Sequence, residues 1–97
     1  MIKERSAGTV LFIEESNENL FLLLHYPTGH WDFVKGKIEN YESAEQAVIR
    51  ETKEETGITD IVFIKGFKEK IEYSFKFNGD TVQKEVYFFL QRQTQNK

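Results

Sequence analysis

Three glutamates, Glu51, Glu54 and Glu55, lie close together near the end of a predicted helix. At about 100° per residue they continue the helix face that carries the apolar residues of the first half of the helix. Like charges at this spacing repel one another, and Arg50 and Lys53 fall at angles where they are not expected to neutralise them. A solvated charged face is the ordinary alternative, but a bound divalent cation explains the placement better. Oxygen ligands without cysteine or paired histidine favour Mg²⁺ or Mn²⁺ over zinc.

The spacing around these glutamates forms part of a longer pattern. Reading forward, the sequence has Gly36, five residues, Glu42, seven residues and then the segment RETKEETGI at 50–58. This pattern resembles the Nudix signature G-x5-E-x7-R-E-U-x-E-E-x-G-U, with Thr52 in place of the first bulky aliphatic residue. The resemblance implies the α+β Nudix fold, an α/β/α sandwich whose mixed β-sheet lies between helices. In that fold the signature forms a loop–helix–loop that holds a metal-bound diphosphate.

The resemblance also implies a role for each residue of the signature. Hydrolysis of a polyphosphate needs cations to screen the attack and a base to deprotonate water. Glu51 and Glu55 are the first-choice metal ligands, with Glu54 as a further ligand or the base, and the sequence leaves open which of the three is the base. Arg50 resembles the family's orienting arginine, which holds a glutamate by a bidentate ion pair. Gly36 lets the backbone approach the metal, with its carbonyl oxygen as a ligand.

The segments on either side of the signature resemble one group within the family. The segment WDFVKGKIE at 31–39 resembles the W-x-F-P-K-G-x-[IV]-E segment of asymmetrical diadenosine tetraphosphate hydrolases and bacterial RNA pyrophosphohydrolases. Val34 stands where that segment has proline, which removes no chemical group. The segment GFK at 66–68 and the segment KEVYFFL at 84–90 also resemble the diadenosine tetraphosphate group, so the likeness covers nearly the whole chain.

Five further residues are candidates for substrate contacts. Lys35 is expected to contact a phosphate, Lys37 flanks the same glycine, and Lys68 and Lys84 are additional candidates, with a solvent-facing lysine as the alternative. Tyr73 matches the aromatic residue that stacks on a nucleobase in diadenosine tetraphosphate hydrolases, and packing in the core is its alternative.

Three ring-bearing side chains in the same region are given no chemical role. His25 and His30 lack a partner at ligand spacing and are interpreted as ordinary polar residues. Trp31 is expected to be structural.

The function that follows is Mg²⁺-dependent hydrolysis of diadenosine tetraphosphate, in which water attacks one phosphorus and ATP and AMP are released. Removal of pyrophosphate from triphosphorylated RNA, or hydrolysis of another nucleoside diphosphate derivative, is the alternative within the same chemistry. An inactive Nudix-derived nucleotide-binding module is the alternative of another class. The family continues beyond the position of Lys97 with an acidic metal ligand, a second stacking aromatic, a strand and a helix. The chain is therefore expected to be truncated, and to self-associate through the apolar surface left exposed.

The elements that must position these residues can be read from the hydrophobic periodicity and the turn signals. Strands are predicted at 5–14 and 19–26, joined by a turn, followed by a loop with a short strand through residue 41. Ser43 and Gln46 form a capping box, and Gly57 ends a helix at 44–56. A short β-prone run at 61–66 precedes an alternating strand at 67–77, and Asn78-Gly79 predicts a hairpin to an interior strand at 82–91. The tail from residue 91 is expected to fray.

Composition limits the remaining possibilities. The 97 residues, 39% of them hydrophobic and 14% aromatic, indicate one folded domain rather than a disordered chain. The absence of cysteine predicts a reducing cytoplasm, and no apolar run approaches the roughly 18 residues that span a membrane. The net charge of −3 disfavours long nucleic acids and favours a small nucleotide substrate, whose phosphates need a local group of cations.

Overall fold

The computed structural model describes residues 1–94, which form seven strands and one helix. In chain order the elements are β1 (Ile2–Glu15), β2 (Glu18–Phe21), β3 (Leu24–His25), β4 (Trp31–Asp32), β5 (Val34–Lys37), α1 (Ala44–Thr56), β6 (Ile61–Phe77) and β7 (Asp80–Gln93).

Five of the strands form one mixed sheet in the order β2-β1-β7-β6, with β5 pairing along β1 as well. β1 runs antiparallel to β2 and β5 and parallel to β7, and β6 and β7 form an antiparallel hairpin. β7 therefore lies inside the sheet, as the apolar segment VYFFL predicts. β3 and β4 form a separate two-stranded ladder beside this sheet. A mixed sheet with a packed helix confirms the predicted α+β class.

The two tight hairpins have the backbone conformation that their turn residues favour. Ser16 and Asn17 join β1 to β2 with φ of 51° and 67°, and Asn78 and Gly79 join β6 to β7 with φ of 51° and 82°. Two consecutive residues with positive φ match the twist of paired strands, which is why Asn-Gly is such a strong hairpin signal.

The helix begins and ends at the predicted residues. The Gln46 backbone N–H donates to Ser43 Oγ at 3.1 Å, and the Ser43 N–H donates to Gln46 Oε1 at 2.8 Å, which completes the capping box. Gly57 follows the helix in the left-handed conformation, with φ of 78°, and its N–H donates to the Lys53 carbonyl at 2.8 Å. These contacts satisfy backbone groups that the helix itself leaves unpaired.

Small residues let the helix approach the sheet closely. Ala47 and Val48 of α1 are buried against Ala7 of β1 and Phe89 of β7. The Phe89 ring also packs edge-on against Phe63, with the ring centroids 5.5 Å apart. The helix also contacts β5, and Arg50 and Glu51 in its second half reach the backbone of that strand.

Three details of the sheet differ from the prediction. The predicted strand at 19–26 is divided into β2 and β3. The two predicted strands at 61–77 are one strand, with an irregularity between Phe63 and Lys68 where Gly66 has φ of 87°. β7 continues to Gln93, so fraying from residue 91 was wrong. Gln91 is fully buried because β1 and β6 pair with it on both sides. Residues 95–97 lie outside the described part.

No helix in the described residues is long and apolar enough to cross a membrane.

Candidate active site

Arg50 connects three glutamates to one another. Its Nε donates to Glu42 Oε2 at 2.6 Å and its Nη2 to Glu42 Oε1 at 3.0 Å, a bidentate pair between the helix and the loop before it. Its Nη1 donates to Glu51 Oε1 at 2.8 Å and to Glu54 Oε1 at 3.2 Å. The bonds to Glu42 and the other carboxylates raise the pKa of Arg50, and the bond from Arg50 lowers the pKa of Glu42.

These contacts correct one expectation. The helical angles predicted that Arg50 would not neutralise Glu51, yet the two side chains form an ion pair. The long arginine side chain bends along the helix surface, whereas the helical wheel fixes only the direction of its Cβ. Arg50 Nη2 also donates to the Lys37 carbonyl at 2.9 Å, so the same side chain ties α1 to the end of β5.

A side chain at Gly36 would overlap the side chain of Glu51. Gly36 pairs with Ala7 of β1, so a side chain at Gly36 would point to the helix face of the sheet. A Cβ atom there would lie 2.1 Å from Glu51 Cδ and 2.4 Å from Glu51 Oε1. The Glu51 carboxylate therefore rests directly against the β5 backbone, and the close approach depends on the missing side chain.

Of Glu51, Glu54 and Glu55, only Glu55 has no hydrogen bond or ion pair within residues 1–94. Partial burial, followed by the charges of Glu51 and Glu54, raises the pKa of Glu55. The three carboxylates are thus near enough to repel one another. A cation near them would offset this repulsion.

The oxygen atoms of the three glutamates are of the type that binds a divalent cation, but they do not converge on one point. In the described residues, no three acidic or histidine side chains converge closely enough to form a preformed metal site. Glu51 and Glu54 are directed to Arg50 instead. The oxygen-only donor set and the repulsion at Glu55 fit Mg²⁺ or Mn²⁺, because hard cations prefer carboxylate and carbonyl oxygens.

Strand register places three of the candidate lysines on the face of the sheet opposite the helix. Directly paired residues share a face. Lys35 and Lys37 flank Gly36 along β5, so their side chains point away from α1. Lys84 pairs with Glu4 on one side and with Tyr73 on the other. Glu4, through β1, lies on the same face as Lys37, so the register brings these lysines and Tyr73 to one surface.

A cavity of about 400 Å³ opens on this surface. It is lined by Glu4, Ser6, Tyr26, His30, Lys35, Gly36, Lys37 and Lys84. Burial, followed by the charges of Glu55, Asp32 and Glu51, raises the pKa of Tyr26, so this wall of the cavity lies within electrostatic reach of the helix carboxylates. The carboxylates and the lysines therefore approach each other around the β5 edge.

Tyr26 and His30 were not identified from the sequence as site residues. Their rings stack with centroids 5.1 Å apart and an interplanar angle of 13°. The Tyr26 N–H donates to the His30 carbonyl at 2.9 Å, which closes the Pro27-Thr28-Gly29 turn between them. The signal that could have found them is this turn, which brings the two rings together immediately before the Lys35 segment.

Trp31 was expected to be structural, but it is 62% exposed. Its ring stacks on that of His25 with centroids 4.4 Å apart, on the outside of the small β3-β4 ladder. The pair forms a surface contact, because a two-stranded ladder has no interior in which to bury it.

Three of the candidates differ in their surroundings. Lys68 pairs with Phe89, on the helix face, and its Nζ lies 5.4 Å from the centre of the Tyr87 ring. It is therefore not brought together with the cavity lysines. Tyr73 is 44% exposed, so its ring is not buried in the core that residues 1–94 form. Lys35 lines the cavity while its Nζ lies 2.8 Å from Asp32 Oδ2.

Comparison with known proteins relates this geometry to a family. The sequence pattern of the NUDIX domain matches residues 3–97. Over 57 residues the chain is 44% identical to an asymmetrical bis(5'-nucleosyl)-tetraphosphatase of Caenorhabditis elegans, which covers 57% of this chain and 41% of that protein. Over 67 residues it is 40% identical to an 8-oxo-dGTP diphosphatase of Escherichia coli strain K12, which covers 65% of this chain and 50% of that protein.

The folded chain is similar to a C. elegans Ap4A hydrolase solved as a binary complex, with a TM-score of 0.80 and 32% sequence identity. That match covers 97% of this chain and 69% of the solved chain. The present chain thus spans half or less of the two curated relatives and about two thirds of the solved structure.

Proposed function

Since the chain belongs to the Nudix family, we propose that it is a hydrolase of dinucleoside polyphosphates that converts diadenosine tetraphosphate and water into ATP and AMP. One observation carries this proposal: Glu51 and the lysine-lined cavity meet at Gly36, on either side of the β5 backbone. Acidic residues that attract a cation and basic residues that attract phosphate therefore lie next to each other, as hydrolysis of a polyphosphate requires.

Nudix hydrolases generally use divalent metal cations, and here Glu51, Glu54, Glu55 and the Gly36 carbonyl would hold Mg²⁺ or Mn²⁺. When bound, such a cation lowers the pKa of water and screens the phosphate charge. Arg50 fixes Glu51 and Glu54 through its hydrogen bonds. Glu55 is free of such bonds within residues 1–94, so its carboxylate is available to bind a cation or to accept a proton.

The cavity supplies the contacts to substrate. Lys35, Lys37 and Lys84 can attract phosphate oxygens along its wall. The stacked pair of Tyr26 and His30 adds a polar aromatic side to the same cavity. Tyr73 lies next to Lys84 on the open surface, where an exposed aromatic face is suited to stack on a nucleobase.

Metal binding is tested by thermal unfolding with and without millimolar Mg²⁺ or Mn²⁺. A ligand that binds the folded state alone raises the melting temperature by mass action. Glu55→Gln should remove this rise while folding as well as the wild type or better, because one repelling charge is lost. Glu45→Gln, in the first turn of the same helix, is the matched control and should keep the rise. A rise that survives Glu55→Gln would contradict the assignment of Glu55.

The substrate is tested by comparing diadenosine tetraphosphate, 8-oxo-dGTP, ADP-ribose and triphosphorylated RNA at equal concentrations with Mg²⁺ or Mn²⁺. We expect diadenosine tetraphosphate to be hydrolysed fastest, and ¹⁸O-labelled water to identify the attacked phosphorus by the product that carries the label. Preference for 8-oxo-dGTP would favour the second candidate, a nucleoside triphosphate diphosphatase, which the similarity to the E. coli enzyme supports. Preference for triphosphorylated RNA would favour RNA pyrophosphohydrolysis. Saturable binding of a nucleotide without any turnover would favour the inactive binding module.

A cytoplasmic location, predicted from the cysteine-free sequence, remains part of this proposal.

A further inference from the structure

β6 forms an open edge of the large sheet. It pairs with β7 on one side, and within residues 1–94 no strand pairs with it on the other. Along its second half, one face carries only large apolar or aromatic side chains, each substantially exposed. They are Ile71 (49%), Tyr73 (44%), Phe75 (39%) and Phe77 (62%). A long, regular edge strand with exposed apolar residues is a template for pairing with another strand.

We propose that this edge pairs with the β6 edge of a second copy of the chain, antiparallel and centred on Ser74. In such a dimer a two-fold axis perpendicular to the sheet places one residue opposite itself. Side chains alternate between the two faces along each strand, so directly opposed residues of the two copies lie on the same face of the joint sheet. The choice of the central residue therefore fixes all other pairs.

The order of charges along β6 selects between the possible centres. With the centre at Glu72, the two copies of Glu72 lie opposite each other and Lys68 of one copy lies opposite Lys76 of the other. A centre at Tyr73 opposes Lys70 to Lys76. Like charges directly opposite one another destabilise a strand pair, so these registers are disfavoured.

A centre at Ser74 makes the edge complementary to itself. Glu72 of each copy lies opposite Lys76 of the other, which gives two pairs of opposite charge. On the apolar face Tyr73 lies opposite Phe75, and Ile71 opposite Phe77, each of them twice. Aromatic and β-branched pairs of this kind stabilise adjoining strands.

Centres at Phe75 and Ile71 are the competing registers. A centre at Phe75 places Glu72 opposite Asn78 of the turn and Lys76 opposite Ser74, so it forms no pair of opposite charges within β6 and overlaps fewer residues of that strand.

A centre at Ile71 pairs Lys70 with Glu72 of the other copy. It places Glu69 opposite Tyr73 and Lys65 opposite Phe77, so it pairs fewer apolar side chains with one another than the centre at Ser74. The self-complementary order around Ser74 is therefore what identifies the partner as a second copy.

A stable interface buries roughly 1,200–2,000 Å², and two single strand edges form a small contact by that standard, so the dimer should form and dissociate with concentration. Sedimentation velocity of the 97-residue chain should show a shift from monomer to dimer as the concentration rises. A chain that stays monomeric at high concentration would overturn the proposal.

Cysteine cross-linking tests the register, because the sequence contains no cysteine. Ser74→Cys should give a disulfide-linked dimer under mild oxidation, since residue 74 lies opposite itself. Ile71→Cys is the matched control and should not cross-link. Cross-linking at position 71 in place of position 74 would show that the register is wrong. Circular dichroism checks that both cysteine variants fold.

Exchanging the charges gives a second, independent measurement. Glu72→Lys and Lys76→Glu should each weaken dimerisation at least about tenfold, because like charges then face each other across the edge. The double variant restores opposite charges and should recover dimerisation. Recovery would be absent if the dimer used another surface, and that result would also overturn the proposal.

Discussion

Arg50 balances the charge of the candidate site at the level of single side chains. Its guanidinium contacts Glu42, Glu51 and Glu54, while Glu55 remains without a cationic partner in residues 1–94. A planar guanidinium with several fixed donors can hold more than one carboxylate, which the single ammonium of lysine does less well. The arginine therefore orders two glutamates and leaves the third available.

The bond between Arg50 and Glu42 makes stability depend on pH in a predictable direction. The guanidinium, with help from the Glu39 N–H, lowers the pKa of Glu42 from its ordinary value of 4.5. A carboxyl group with a lowered pKa stabilises the fold above its unfolded pKa, and this stabilisation is lost as the pH falls through the folded value. Glu42→Gln should therefore lower the melting temperature at neutral pH.

The difference between Glu42→Gln and the wild type should shrink as the pH falls below the ordinary pKa of 4.5 and then through the lowered pKa of the folded state, where the native carboxyl becomes protonated. Glu39→Gln, whose side chain has no part in this bond, serves as the control and should melt like the wild type at both pH values. An equal loss for Glu42→Gln at neutral and acid pH would contradict the ion pair as the cause.

The contact between Gly36 and Glu51 predicts a steric effect that can be separated from backbone strain. Gly36→Ala should destabilise the fold by about 1–3 kcal/mol, because the new methyl group overlaps the Glu51 side chain. Truncating the neighbour should relieve this cost, so Gly36→Ala should be nearly neutral in a Glu51→Ala background. Chemical denaturation of the four chains measures the coupling. Additive losses would show that the glycine is needed for another reason.

At the scale of elements, strand register decides which lysines share a surface. Lys84 and Lys68 were both predicted as candidate phosphate contacts. The pairing of β6 with β7 nevertheless places Lys84 beside Tyr73 and Lys68 beside Phe89. These positions lie on opposite faces of the sheet, because neighbouring residues of a strand alternate. The two lysines therefore form a matched pair for experiment.

Lys84→Met should weaken binding of a non-hydrolysable diadenosine tetraphosphate analogue several-fold, because a charge-assisted phosphate contact is lost. Lys68→Met should leave the affinity unchanged, since Lys68 lies over the Tyr87 and Phe89 rings on the helix face. Isothermal titration with both variants and the wild type gives the comparison. Equal weakening by the two substitutions would show that the face assignment does not describe substrate binding.

At the scale of the whole molecule, charge sets the kind of polyanion that can bind. Thirteen basic and sixteen acidic residues give a net charge of −3, while three lysines are grouped at one cavity. A compact nucleotide can use that local group, whereas a long backbone would also meet the acidic remainder of the surface.

We expect no saturable binding of a long homopolymeric RNA at a salt concentration of about 0.15 M, where charges beyond about 8 Å are screened. Fluorescence anisotropy with a labelled RNA measures this, with a dinucleoside polyphosphate as the positive control. Tight binding that weakens steeply with added salt would instead indicate a phosphate-backbone interface.

Features determined by neighbouring residues were predictable from the sequence alone. The helix bounds follow from the Ser43 capping box and Gly57, and the hairpin from Asn78-Gly79, because the groups that form these contacts are only a few residues apart. The apolar run that forms β7 likewise predicted an interior strand. The Nudix pattern identified the family from spacing, since its residues lie on a strand, a loop and a helix that follow one another directly along the chain.

Only the tertiary structure decided which distant side chains meet. The parallel pairing of β1 with β7 brings Lys84 to the surface of Lys35 and Lys37. Packing of α1 over β5 presses Glu51 against Gly36, and the turn at 27–29 adds Tyr26 and His30 to the cavity. The physical reason is that register and helix placement depend on the sum of many long-range contacts, whereas capping and turn signals depend on local ones.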